Sequence, residues 1–81
     1  MLGMTSITIR QSNEADAAIL QRLADLDSAR PLEGPALIGE LGAHAVAAVS
    51  IDGRRAVADP FERTEHVVGL LRRTALGLRA A

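Results

Sequence analysis

Two histidines, two carboxylates and one arginine are the residues of this chain best placed to do chemistry. Glu40 falls on a predicted strand and Asp59 at the end of another, where either carboxylate in a cleft could act as a general base. The alternative for each is plain: Glu40 as a solvent-facing strand residue, Asp59 as a turn residue before Pro60. His44 and His66 stand 22 positions apart, on a hairpin and a helix start, without the local ligand pairing that a metal site usually shows. No metal site is therefore expected from them. Arg63 precedes the last helix, where free N–H groups, the helix dipole and a guanidinium together suit a phosphate or carboxylate. Glu62 and Glu65 flank it and oppose an anion, and Arg63 has in them two ready partners. No Gly-x-Ser-x-Gly or Ser-x-x-Lys arrangement supplies a nucleophile.

The elements that must position these residues follow from periodicity and punctuation. Ser6 to Arg10 alternates polar and apolar, a half-buried strand. Asn13 is a fitting N-cap, with Asp16 three residues on, for a helix over Ala15–Leu26 whose stripe is Ile19, Leu20, Leu23 and Leu26. Residues 27–35, DSARPLEGP, break the chain. A strand over Ala36–Leu41, a two-residue turn at Gly42-Ala43 and a return strand over residues 44–51 come next. Asp52-Gly53 is a second hairpin signal, and Arg54–Ala58 completes a meander. Thr64 caps the last helix, whose apolar face is Val67, Leu70, Leu71, Thr74 and Leu78. Gly69 and Gly77 weaken that helix unless they mark close backbone packing. The result is a single α+β domain over residues 1–81, a four-stranded, mainly antiparallel sheet in the order β-α-β-β-β-α.

Composition excludes several function classes. The 81 residues include no cysteine, so neither disulfides nor thiolate metal sites support the core. A chain of this size has a thin stability margin and folds with a modest core or gains stability by pairing with another chain. Net charge is −1, which attracts neither nucleic acid nor anionic membranes. Residues 1–52 carry three Arg against seven acids and residues 53–81 six Arg against three, an asymmetry that fits head-to-tail packing, an anion near the C-terminal half, or two solvated faces. Lys, Tyr and Trp are absent and Phe61 is the one aromatic residue, so there is no lysine base and no platform for stacking nucleobases. MLGMTSITIR lacks the pattern of a signal peptide, and the longest apolar-rich run, residues 43–51, is too short to cross a bilayer. The expected location is soluble and cytoplasmic.

The element order and the residues carrying it resemble the N-terminal half of the GNAT acetyltransferase fold. ITIRQSNEADAAILQRLADLD looks like that family's opening strand and helix, and the meander ending in AVADP is similar to its second to fourth strands. ADPFERTEHVVGLLRR then falls where the family places its acetyl-CoA loop, in essence Pro-x-x-Arg-Gly-x-Gly-apolar-Gly and a helix. Pro60, Arg63 and Val67 match; Thr64, His66 and Val68 stand in the three glycine positions, where side chains obstruct the approach of a pyrophosphate. The resemblance covers about half of the family fold, without its fifth strand, its later Tyr or its second helix. It implies a non-catalytic GNAT-like half-domain without a cofactor, acting by self-association or through a protein partner. The strand edge Arg54–Ala58 is the expected contact, with Arg54 and Arg55 as its gatekeepers if it stays unpaired. The alternative is an acyl-CoA-binding or N-acetyltransferase protein whose site is completed across a dimer, with Arg63, Thr64 and His66 as cofactor contacts. A further reading is a small regulatory subunit whose acidic N-terminal half docks on a basic partner.

Overall fold

A computed structural model describes residues 6–80. Residues 1–5, part of the segment read for a targeting signal, and Ala81 lie outside the described residues. The first strand, β1, runs over Ile7–Gln11. Asn13 then caps a single 3-10 turn, Glu14–Asp16, which leads into helix α1 over Ala17–Leu26. The cap is reciprocal: the Asn13 side chain accepts from the Ala15 N–H at 2.8 Å, and the Asp16 carboxylate accepts from the Asn13 N–H at 2.8 Å. The expected cap is therefore in place, but the helix proper begins two residues later than Ala15 because the first turn winds tightly.

The end of α1 is equally well defined. Ser28 adopts φ 52, the Ala29 N–H donates to the Ala24 carbonyl at 2.9 Å, and the Ser28 N–H donates to the Asp25 carbonyl at 3.2 Å. This is a Schellman closure with serine at the position that glycine usually holds. The break over residues 27–35 follows, as its prolines and glycine imply.

Strands β2 (Ala36–Leu41), β3 (His44–Ser50) and β4 (Ala56–Ala58) complete a fully antiparallel sheet in the spatial order β1-β2-β3-β4. The β2–β3 connection is the two-residue turn at Gly42-Ala43, with a positive φ of 62 on Gly42. The β3–β4 connection is longer than a two-residue hairpin. Gly53 (φ 75) donates its N–H to the Ser50 carbonyl at 2.8 Å, while the Asp52 carboxylate accepts from the Ser50 hydroxyl at 2.6 Å and the Arg54 N–H at 2.9 Å. These bonds keep Arg54 and Arg55 in the loop, so the strand expected over Arg54–Ala58 is confined to Ala56–Ala58.

Helix α2 (Glu65–Ala80) and helix α1 pack on opposite faces of the sheet. Leu23 and Ala24 of α1 meet Leu32, Ala36, Ile38, Ala48 and Val57. Val67, Leu71 and Ala75 of α2 meet Leu37, Val46, Ala47 and Val49. Leu37 and Ile38 adjoin in sequence and serve opposite cores, as alternation along a strand requires. A bulge interrupts this on β3: Gly39 pairs with Ala47 and Glu40 with Ala45, which leaves Val46 as the additional residue. Val46 and Ala47 thereby both join the core beneath α2.

The buried stripe of α2 is Val67, Leu71 and Ala75 rather than one ending at Leu78, which is 44% exposed. The close approach sought at Gly69 and Gly77 is also elsewhere, since a Cβ at either would meet nothing within 4 Å. A Cβ at Gly39 would lie 2.6 Å from Val67 Cγ1 and 3.3 Å from Leu71 Cδ1, so α2 rests on the bare backbone of β2. No described helix is long and apolar enough to cross a membrane.

Candidate functional site

The segment between β4 and α2 is built by Asp59. Its N–H donates to the Val46 carbonyl at 2.8 Å, extending the β3–β4 ladder by one bond. Its carbonyl accepts from the Glu62 N–H at 3.2 Å, and its carboxylate Oδ1 accepts from the Phe61 N–H at 2.9 Å. Pro60 and Phe61 are thus folded into a turn that carries Glu62 back toward Asp59. Asp59 is buried, while Phe61 projects with 83% of its surface exposed.

Thr64 stands at the start of α2, where its carbonyl accepts the helical bond from the Val68 N–H at 2.8 Å; its expected capping position holds. Arg63 is exposed and forms no ion pair among the described residues, so the pairing anticipated with Glu62 or Glu65 is not made. His66 is exposed on the first turn of α2.

His44, the first residue of β3, is brought to this loop by the sheet. One nitrogen of His44 and one carboxylate oxygen each of Asp59 and Glu62 lie within 4.8 Å of one another. Asp59 and Glu62 are three residues apart on one turn and are a local signal that the sequence offered. His44 lies fifteen positions before Asp59, and only the β3–β4 register reveals that it joins them.

Glu40 belongs to a different place. The Arg10 guanidinium donates to both carboxylate oxygens of Asp16, at 2.8 and 2.7 Å, and its Nε donates to Glu40 at 3.4 Å. The forked hydrogen bond from Arg10, then the Asn13 N–H, hold the Asp16 carboxyl well below the usual range, at about 2. The same pairing raises Arg10 further above its already high value. Glu40 beside that cation is a structural partner, clamping β1 and β2 to the first turn of the helical segment.

A groove of about 460 Å³ runs between Asn13, Leu20, Gln21, Pro31 and Leu32. Glu14 is the one titratable side chain on its wall, so it offers shape with little chemistry.

Comparison with protein-family models, with curated proteins and with solved structures returns no match to this chain. The chemistry of the loop therefore rests on its own geometry.

Proposed function

We propose that this chain is a small non-catalytic module, GNAT-like in its element order, that works by pairing with a second copy of itself along β1. The observation carrying this reading is the phase of the β1–β2 ladder. Gly42 donates to the Ser6 carbonyl at 3.0 Å and Ser12 to the Ala36 carbonyl at 2.8 Å, in register with Ile9 opposite Gly39. Alternation then turns the N–H and C=O groups of Ile7, Ile9 and Gln11 away from β2. Such a row of outward backbone groups is a template for another strand.

The opposite edge is a poorer template. β4 has three residues, and the Ala58 N–H already donates to the Asp27 carboxylate at 3.2 Å. Arg55 is not a free gatekeeper, since its guanidinium donates to the Arg30 carbonyl at 2.7 Å and the Pro31 carbonyl at 3.1 Å. Antiparallel β1–β1 pairing is self-complementary, closes as a two-fold dimer, and makes one continuous sheet from two four-stranded ones. It also covers Ile7, which is 36% exposed, and suits a domain with a small core.

Sedimentation equilibrium from low micromolar to submillimolar concentration tests the reading. A dimer is expected, and it should dissociate in Gln11→Pro, which removes an outward N–H without touching the ladder to β2, and in Ile7→Lys. A monomer throughout that range, or a dimer indifferent to both changes, would sink it.

A further inference from the structure

The side chains of His44, Asp59 and Glu62 converge without bonding to one another. Apart from the backbone bond from the Glu62 N–H to the Asp59 carbonyl, no hydrogen bond or ion pair joins them among the described residues, where both salt bridges belong to Arg10. Side-chain attraction therefore does not account for the cluster. Asp59 is 6% exposed as a residue; Oδ1 takes the Phe61 N–H, and Oδ2, which makes no hydrogen bond among the described residues, is the part of the side chain left open to solvent, since no buried polar side-chain atom there lacks a partner. One oxygen of this carboxylate is thus fixed by the turn, while the other faces the surface beside His44 and Glu62 and is available to an outside ligand. His44 and Glu62, by contrast, are exposed and free to turn toward it.

We propose that His44, Asp59 and Glu62 bind a divalent first-row transition-metal ion, with Zn²⁺ the foremost candidate, which staples the start of β3 to the β4–α2 loop. The donor set is one imidazole nitrogen and two carboxylate oxygens, a combination that Zn²⁺ accepts and that Mg²⁺ and Ca²⁺, which favour all-oxygen shells, do not. Two carboxylates and a neutral imidazole also balance the charge of a divalent ion. Bonds of about 2.0–2.2 Å in a tetrahedral shell place donor atoms roughly 3.3–3.6 Å apart. Separations of up to 4.8 Å thus have to contract by at most about 1.5 Å, which rotation of His44 and Glu62 supplies. Three protein ligands leave the fourth position to water or to an outside donor. Metal binding and β1 pairing are independent: the cluster lies at the β3–β4 end of the sheet, and either stands if the other falls.

Calorimetric titration of the untagged full chain with ZnCl₂, alongside Co²⁺ absorption in the visible region, tests the site. One ion per chain is expected, with a rise in Tm and tetrahedral Co²⁺ bands that excess Mg²⁺ does not displace. His44→Ala and Glu62→Gln, both at exposed positions, should each weaken binding by about tenfold or more, while His66→Ala should leave it unchanged. Absence of heat and of any Tm shift at millimolar Zn²⁺ would overturn the proposal. So would binding that survives both His44→Ala and Glu62→Gln, or binding lost in His66→Ala. Asp59→Asn should also lose the ion, but the two exposed ligands decide the outcome because Asp59 helps to form the turn.

Discussion

Arg10 and Asp16 are joined by two parallel hydrogen bonds of 2.8 and 2.7 Å, and the same carboxylate caps the turn that separates them. One side chain thereby fixes both the strand and the start of the helical segment. Asp16 is 4% exposed, so loss of its charge removes the partner of a cation that sits over the sheet.

This pair sets an acid limit to stability. The folded-state carboxyl of Asp16 is lowered to about 2, against an ordinary value of about 3.9 in an unfolded chain. A depressed carboxyl contributes stability above its unfolded value and loses it as pH falls toward the folded one. The Asp52 carboxyl, held below its usual range by the Ser50 hydroxyl and the Arg54 N–H, acts in the same direction. Thermal melts should therefore fall steeply between about pH 4 and pH 2. Asp16→Asn should be less stable at neutral pH and show a shallower acid slope; a parallel slope in wild type and variant would refute the assignment.

Gly39 and Gly69 should respond oppositely to alanine. At Gly39 the new methyl collides with Val67 and Leu71, and Gly39→Ala should cost about 1–3 kcal/mol by overpacking. At Gly69 nothing stands within 4 Å, and Gly69→Ala should add up to about 1 kcal/mol through helix propensity. Urea denaturation of the two variants separates these outcomes, and a stabilised Gly39→Ala would contradict the packing of α2 on β2.

Ser28 carries a positive φ of 52 in the Schellman closure of α1. Ser28→Gly relieves a left-handed conformation costing roughly 1–2 kcal/mol, less the entropy that glycine adds to the unfolded chain. A net gain of about 0.5–1 kcal/mol is expected in chemical denaturation, and a loss would show that the Ser28 side chain has another role.

Acetyl-CoA titration followed by NMR should leave residues 59–69 unmoved up to millimolar ligand. Thr64, His66 and Val68 occupy the positions where a pyrophosphate would need bare backbone, and Glu62 and Glu65 add negative charge. Saturable shifts confined to that segment would restore the acyl-CoA reading in place of a non-catalytic module.

The sequence was most legible where one residue acts on its immediate neighbours. Asn13 with Asp16, Gly42 in its turn and Thr64 before α2 each carry a local backbone requirement, and each stands where pattern alone put it. Relationships set by the sheet were not legible. Nothing in residues 44–50 marks Val46 as the bulged position, and nothing around Asp27 announces that its carboxylate will occupy the Ala58 N–H. Ala75 is fully buried and Leu78, three residues further on, is 44% exposed, because the buried stripe of α2 ends at Ala75, a limit that helical periodicity does not mark. For the candidate site, Asp59 was visible as a carboxylate of interest. Glu62, three residues on, was a local signal, but the arrival of His44 depends on a strand register that no spacing encodes.

Four arginines have their guanidinium groups engaged within the described chain, and three of them serve neutral carbonyls. Arg22 donates to Ala45 at 2.6 Å, Arg79 to Ile51 at 2.7 Å, and Arg55 to Arg30 and Pro31. These ties are ion–dipole contacts at short range, which dissolved salt screens far less than it screens attraction between separated opposite charges. The loops of this domain are thus lashed down by cations whose grip is largely indifferent to ionic strength, while among the described residues the close ion pairs, on which salt acts most, are gathered at Arg10.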